Sequence, residues 1–210
     1  MKLLLITGGS HPYEETTPIL SSFLSAAGHD VTVSETAEEL ESAAMGAFDT
    51  IVLNTRRRDD SDNNFSVPQR EGLKSFVENG GGLVSVHISP DSAPDWPEMK
   101  PMTGGGWISG TSWHPPFGEM SVHIKNPDHP LAAGVSDFET TDECYCGVDI
   151  QPGIDVFMVG DVEDEERPLG WSTTYGKGKV ANIALGHAGV SVEQPDFQRL
   201  ILNSVEYVNS

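Results

Sequence analysis

Four short apolar runs, each closed by polar or glycine-rich residues and separated by stretches of helical periodicity, leave this chain few folds to choose from. Leu3 to Ile6 stops at Gly8-Gly9, and Val31 to Val33, Asp49 to Asn54 and Leu83 to Ile88 follow it. Runs that are apolar along nearly their whole length mark strands buried on both faces, the usual state of a parallel sheet. Between them, Pro12 opens a segment in which Ile19, Leu20, Phe23, Leu24 and Ala27 recur at helical spacing, and Gly28 closes it. Ala37 to Met45 reads as a short second helix. Val67-Pro68 starts a third, with Leu73, Phe76 and Val77 on one face and Asn79-Gly80 as its stop. This alternation predicts an α/β domain whose parallel sheet is covered by helices on both faces and joined by right-handed crossovers.

From Ser89 the rhythm changes. Residues 89 to 118 are rich in proline and glycine, carry Trp96, Trp107 and Trp113, and show no long periodic segment. A loop of that length in a compact domain is usually functional, and its tryptophans are expected to pack as a lid or wall over the strand ends. Later strands are expected at Glu119 to Ile124, Asp155 to Gly160, Leu169 to Ser172 and Lys179 to Leu185. Tyr175-Gly176-Lys177-Gly178 reads as a hairpin turn between the last two, and a final helix runs from Gln194 to Val208. With no linker, repeat or low-complexity tract, residues 1–210 read as a single domain.

Charge narrows the partners. The 32 acidic residues against 12 basic ones give a formal net charge of −20, which repels phosphate backbones and anionic membranes, so neither nucleic acid nor a membrane is an expected partner. The same excess fits a well-solvated surface, or adaptation to high salt, where counterions screen the self-repulsion. The apolar run at Leu3 to Ile6 is too short for the core of a secretion signal and ends in a glycine turn, so it is expected to be a buried strand. Cys144 and Cys146, the only two cysteines, are one residue apart, an awkward spacing for a disulfide and too few for a four-cysteine zinc site. A reducing, cytoplasmic location is expected.

Residues suited to chemistry gather near predicted strand ends. His87 closes the fourth apolar run, where an open α/β sheet binds its ligands, and His187 closes the last strand in Ala184-Leu185-Gly186-His187. Whether those two strands lie side by side does not follow from the sequence. His114 lies in Trp113-His114-Pro115-Pro116, His129 in Asp128-His129-Pro130, and Glu143 is the more useful carboxylate of the Asp142-Glu143 pair. Imidazole beside carboxylate suits general acid–base work near neutral pH and equally suits a divalent metal such as zinc, here through His87, His114 and His187. No other cofactor is called for. His11 and His29 read as loop residues, although His11 also follows a strand end, and His123 is expected to point to solvent. Arg56-Arg57-Arg58 reads as a surface cluster neutralised by Asp59, Asp60 and Asp62.

Taken in order, Gly80-Gly81-Gly82-Leu83-Val84-Ser85-Val86-His87, Trp107, His114-Pro115, Asp128-His129-Pro130, Asp142-Glu143-Cys144-Tyr145, Gly176-Lys177-Gly178-Lys179-Val180 and Ala184-Leu185-Gly186-His187 resemble the ThuA-like (trehalose-utilisation) family. The resemblance runs from about Leu3 to the last helix. It implies a flavodoxin-like, three-layer sandwich with a mostly parallel central sheet, similar to class I glutamine amidotransferases. Where those enzymes carry a nucleophilic cysteine at a strand-to-helix elbow, this chain has Val86-His87-Ile88, so glutamine thioester chemistry is not expected. Ile88 is bulkier than the small residue the family commonly has there.

The resemblance also implies a substrate class, disaccharides and the keto-glycosides made from them by partner dehydrogenases. The reading is therefore an enzyme of carbohydrate metabolism, a lyase, isomerase or hydrolase acting on glycosides. His87, His187 and Glu143 would be its catalytic groups, with Trp107, Trp113, His114 and Tyr145 contacting a small-molecule carbohydrate. The alternative is a non-catalytic carbohydrate-binding or assembly module on the same fold. A homo-oligomer with tryptophans at its interface is a third reading.

Overall fold

The computed structural model describes residues 1–56, 64–87, 91–92 and 96–210, so Arg57, Arg58, Asp59, Asp60, Asp62 and Ile88 lie outside the described residues. The strands are β1 (Lys2–Gly9), β2 (Asp30–Ser34), β3 (Thr50–Arg56), β4 (Gly82–Val86), β5 (Asp91–Ser92), β6 (Gly105–Ile108), β7 (Gly118–Ile124), β8 (Phe138–Asp142), β9 (Asp149–Ile150), β10 (Asp155–Val162), β11 (Glu165–Tyr175) and β12 (Gly178–Ile183). The α-helices are α1 (Tyr13–Ala26), α2 (Val67–Glu78), α3 (Met99–Thr103), α4 (Gly189–Glu193) and α5 (Pro195–Val208).

Nine strands form one mixed sheet in the order β2-β1-β3-β4-β12-β11-β10-β7-β8. The ladders from β2 through β12 are parallel, as the apolar runs of the first half imply, and those from β12 through β8 are antiparallel. The direction reverses because β11 and β12 are joined by the tight turn at Gly176-Lys177. The turn before them places both Glu163 and Asp164 at positive φ, 55° and 61°, the backbone of a two-residue hairpin loop.

Alternation along the parallel strands splits the core in two. Leu3, Leu5, Val52, Val84, Val86, Ala181 and Ile183 join Leu20 and Leu24 of α1 and Phe197, Leu200 and Ile201 of α5 in one buried cluster. Leu4, Ile6, Ile51, Leu53, Leu83 and Val180 join Leu73 and Val77 of α2 and Met99 and Met102 of α3 in another. Neighbouring residues of one strand thus serve opposite faces of the sheet, each buried side chain contributing about 1.5–3 kcal/mol. The start of α2 is written locally. Ser66 Oγ accepts the Gln69 N–H at 3.2 Å while Gln69 Oε1 accepts the Ser66 N–H at 3.0 Å.

Three features differ from expectation. The predicted helix from Ala37 to Met45 is two 3₁₀ turns, Glu38–Glu41 and Ala43–Ala47, because Ser42 is extended and its hydroxyl caps Ala44 N–H at 3.1 Å. The edge strand β8 was not expected. Residues 96 to 118 are not one long loop either; they hold α3 and β6, and Thr103 O anchors them to the sheet by accepting from Trp171 Nε1 and Asn182 Nδ2, both at 2.9 Å.

Candidate functional site

β1, β4 and β12 are parallel, so their carboxyl ends share one edge of the sheet, and a histidine follows each. β4 and β12 are immediate neighbours with Val86 opposite Ile183, and the His87 N–H donates to Ile183 O at 2.8 Å. That adjacency brings His87 and His187 together, which the sequence left open. His87 takes a left-handed backbone, φ 57°, a conformation that costs a non-glycine residue about 1–2 kcal/mol. The turn lifts its ring over the sheet edge, as a nucleophile elbow lifts its serine. After β1, Gly8 and Gly9 (φ 102° and 109°) let the chain double back so that His11 reaches the same place. Glu143 follows the last residue of β8.

The four side chains meet. One ligand atom each from His11, His87, Glu143 and His187 lie within 4.8 Å of one another. His187 Nδ1 is 3.2 Å from His87 Nε2 and 3.2 Å from Glu143 Oε2, and His87 Nε2 is 3.6 Å from the same oxygen. A tetrahedron built on metal–ligand bonds of 2.0–2.1 Å has edges of about 3.3–3.4 Å. The triangle of His87, His187 and Glu143 therefore has the dimensions of one tetrahedral face.

Electrostatics favour a cation there. Burial, with His11 and His187 close by, holds His87 well below the usual imidazole value, and burial beside Arg56 brings His11 down to about 4. Both rings are neutral near pH 7, the form that ligates metals. His11 Nδ1 is buried and has no hydrogen-bond partner among the described residues. Several lone pairs thus face one point, and the donor set of imidazoles and one carboxylate suits a divalent ion of the zinc type.

A second tier surrounds them. Tyr145 Oη lies 2.6 Å from His87 Nε2, and burial keeps the phenol protonated, its pKa raised well above the ordinary value; it is a donor to that nitrogen in the metal-free protein, and an ion on His87 Nε2 would free the O–H for another acceptor. The Tyr145 ring packs against Trp107 and His114, with centroids 4.8 and 5.8 Å away. His114 Nε2 stands 3.5 Å from Glu143 Oε1 while its Nδ1 is 2.8 Å from Pro115 O, so Glu143 faces the histidine cluster with one oxygen and His114 with the other. Phe117, 39% exposed, sets its ring 5.1 Å from that of His187 at the open side. Asp142 turns its carboxylate to backbone N–H groups, and burial pushes its pKa up to about 7 against their pull.

Of the residues singled out in the sequence, His87, His187, Glu143, Tyr145, His114 and Trp107 are brought together. Trp113 is 43% exposed and tied through its backbone to Cys146, with no ring contact to the histidines among the described residues. Trp96 is buried in the other cluster against Phe65 and under Arg70, so it forms no part of a wall. His114 stands beside the four-residue group and not within it, and His11 takes the place that the sequence reading gave to His114. The Gly8-Gly9 turn was the available signal for His11. His129 is a loop-fixing residue, with Nδ1 accepting from Leu131 N–H at 3.1 Å, Nε2 2.9 Å from Ser172 Oγ, and its ring stacked on Phe157. His123 lies between Asp137 and Asp161 near the sheet edge. Cys144 and Cys146 are free, buried thiols whose pKa burial raises, to about 12 for Cys144, so neither is a nucleophile.

Comparison with known proteins agrees with this architecture. A ThuA-like protein from Parabacteroides merdae superposes with a TM-score of 0.83 at 21% identity, covering 100% of this chain and 90% of that one. A cytoplasmic protein from Salmonella typhimurium superposes with a TM-score of 0.68 at 17% identity over 99% of both chains. A cold-adapted β-galactosidase from Rahnella sp. R3 matches 98% of this chain with 30% of its own, with a TM-score of 0.66 and 15% identity. No curated protein matches the sequence. At such identities these likenesses show the fold. The model of the ThuA family, described as trehalose utilisation, matches residues 2–208, and the chain belongs to that family.

Proposed function

We propose that this chain is a metal-assisted enzyme of carbohydrate metabolism acting on a keto-glycoside. The observation that carries the reading is the convergence of His11, His87, His187 and Glu143 on one point at the carboxyl edge of the sheet, with two of the imidazoles held neutral. Those four residues would hold a divalent cation such as zinc. Bound there, the cation would supply Lewis-acid polarisation of a carbonyl, which acidifies the neighbouring C–H.

The remaining groups of the site fit proton transfer at that carbon. The contact from His114 Nδ1 to Pro115 O at 2.8 Å favours the tautomer with the proton on Nδ1, which leaves Nε2 as an acceptor on the cluster side. His114 is then the base for the acidified C–H, and Tyr145, an O–H donor buried beside His87, is placed to protonate a departing glycosidic oxygen. The balanced step is an elimination: His114 takes the C–H proton, the C–H electron pair forms the new double bond, the C–O bond to the aglycone breaks, Tyr145 gives its proton to the alcohol released, and passage of the proton held by His114 to the Tyr145 oxygen through solvent restores both groups. Trp107 walls the site behind Tyr145 and His114, and Phe117 offers an exposed face to a pyranose ring.

Supporting the substrate class are the family's description as trehalose utilisation and the β-galactosidase whose fold is shared in part. The net charge of −20 argues against nucleic-acid partners. A cytoplasmic location rests on the reduced cysteines and on the Salmonella protein described as cytoplasmic; no helix among the described residues is long and apolar enough to cross a membrane. The flavodoxin-like, amidotransferase-like layering is part of the same proposal, with helices packed on both faces of the sheet.

The test is incubation with 3-keto-disaccharides, with and without chelator, beside His87→Ala and His114→Ala. Product formation that chelator and His87→Ala abolish is expected, with His114→Ala slowing turnover by roughly 10²–10⁴-fold. Turnover unchanged by His87→Ala overturns the assignment.

A further inference from the structure

Asp142 is 3% exposed and ends β8, the edge strand, and its carboxylate is turned to backbone N–H groups. Oδ2 accepts the Gly186 N–H at 2.7 Å, and Oδ1 accepts the His187 N–H at 3.2 Å and the Glu143 N–H at 2.8 Å. Two of those three donors are the peptide groups of residues in the cluster itself. A carboxylate taken out of water at this depth needs such partners, and here all three belong to two segments that no strand ladder joins. In the sheet β8 is separated from β12 by β11, β10 and β7, so pairing alone does not register Glu143 against His187. Ser191 strengthens the same junction, its hydroxyl donating to Thr141 O at 2.7 Å.

We infer that Asp142 is a positioning residue that fixes the spacing between Glu143 and His187 by clamping both backbones with one carboxylate. The inference rests on the metal-centre reading above. It assigns adjacent acids opposite tasks: Glu143 faces the ion, and Asp142 holds the frame that aims Glu143 and His187. Asp142→Asn keeps the shape but offers an N–H₂ where one of the three donors needs an acceptor. The clamp then loses at least one of its three bonds: the Gly186 N–H if the amide oxygen stays at the Oδ1 position, or both the Glu143 and His187 N–H groups if it does not.

The experiment titrates cobalt(II) into the full-length wild type and into Asp142→Asn, well below either unfolding temperature, and reads both dissociation constant and visible absorption spectrum. Loss of an outer contact of this type weakens metal binding roughly 10–100-fold. That loss, with a changed d–d band reporting altered coordination, is expected of Asp142→Asn; a residue serving stability alone would lower the unfolding midpoint and leave the spectrum of the folded protein as it was. Identical affinity and spectrum in a folded Asp142→Asn overturn the inference and leave the metal reading standing. Failure of the wild type to bind cobalt(II) overturns both. Where Asp142→Asn does not fold, amide exchange in the wild type decides: the Glu143, Gly186 and His187 N–H groups are expected to be protected, and fast exchange at them overturns the clamp.

Discussion

Removing His11 should alter how the metal-free protein responds to acid. Its ring sits 5.0 Å from His87 and 5.1 Å from His187 between centroids, and burial beside Arg56 lowers its pKa from 6.5 to about 4. The folded value is depressed, so the unfolded chain binds the proton first. The stability at stake is present above about pH 6.5 and is lost as pH falls toward 4. With these two values the loss by pH 5 comes to about 2 kcal/mol. Urea unfolding of wild type and His11→Gln, each in chelator at pH 7 and at pH 5, measures it as a double difference. The wild type should lose about 2 kcal/mol more than His11→Gln between the two conditions. Asp142 acts in the opposite sense: its pKa is raised to about 7, so its contribution is full below the unfolded carboxylate value and fades as pH rises through 7. That trend is common to both proteins and cancels. Relief of His87, whose pKa His11 helps to lower, adds to the predicted difference. Parallel pH dependence in the two proteins would refute the burial argument for a neutral His11.

Two further outcomes follow from geometry and charge. A Cβ at Gly9 would stand 1.9 Å from Arg56 O at φ 109°, so Gly9→Ala should cost on the order of 2–4 kcal/mol in a thermal or urea melt, and a change within 0.5 kcal/mol of zero would contradict the fold at the end of β1. If the charge of −20 is an adaptation to high salt, sodium chloride raised from about 0.1 to 1 M, which shortens the screening length from about 10 to 3 Å, should move the unfolding midpoint upward, and a flat response would assign the acids to ordinary solvation.

Much of the fold was written in local pattern. β1, β3 and β4 announce themselves as short apolar runs, and Ser66 with Gln69 states where α2 begins. The edge strand β8 did not, because Phe138-Glu139-Thr140-Thr141-Asp142 buries only Thr140 and Asp142 and so carries no apolar period. The helix predicted from Ala37 broke at Ser42, whose hydroxyl competes for the backbone in a way that periodicity does not register. His87 and His187 were legible one by one as residues closing strands. Their meeting depends on β12 pairing with β4 across about a hundred residues of chain, a non-local choice. His11 was hidden for a related reason: two glycines at positive φ turn it back to the cluster, while in sequence it stands in a loop before Pro12. Asp142 and Glu143 are chemically alike, and only the path of the chain after β8 gives one to the backbone and the other to the histidines.

The most direct test of the account is calorimetric titration of chelator-stripped protein with zinc, read beside elemental analysis of the protein as purified. The account predicts one ion bound per chain and loss of that binding in both His87→Ala and His187→Ala with the fold retained. Absence of stoichiometric zinc binding by the wild type, or binding that survives both substitutions, would contradict it.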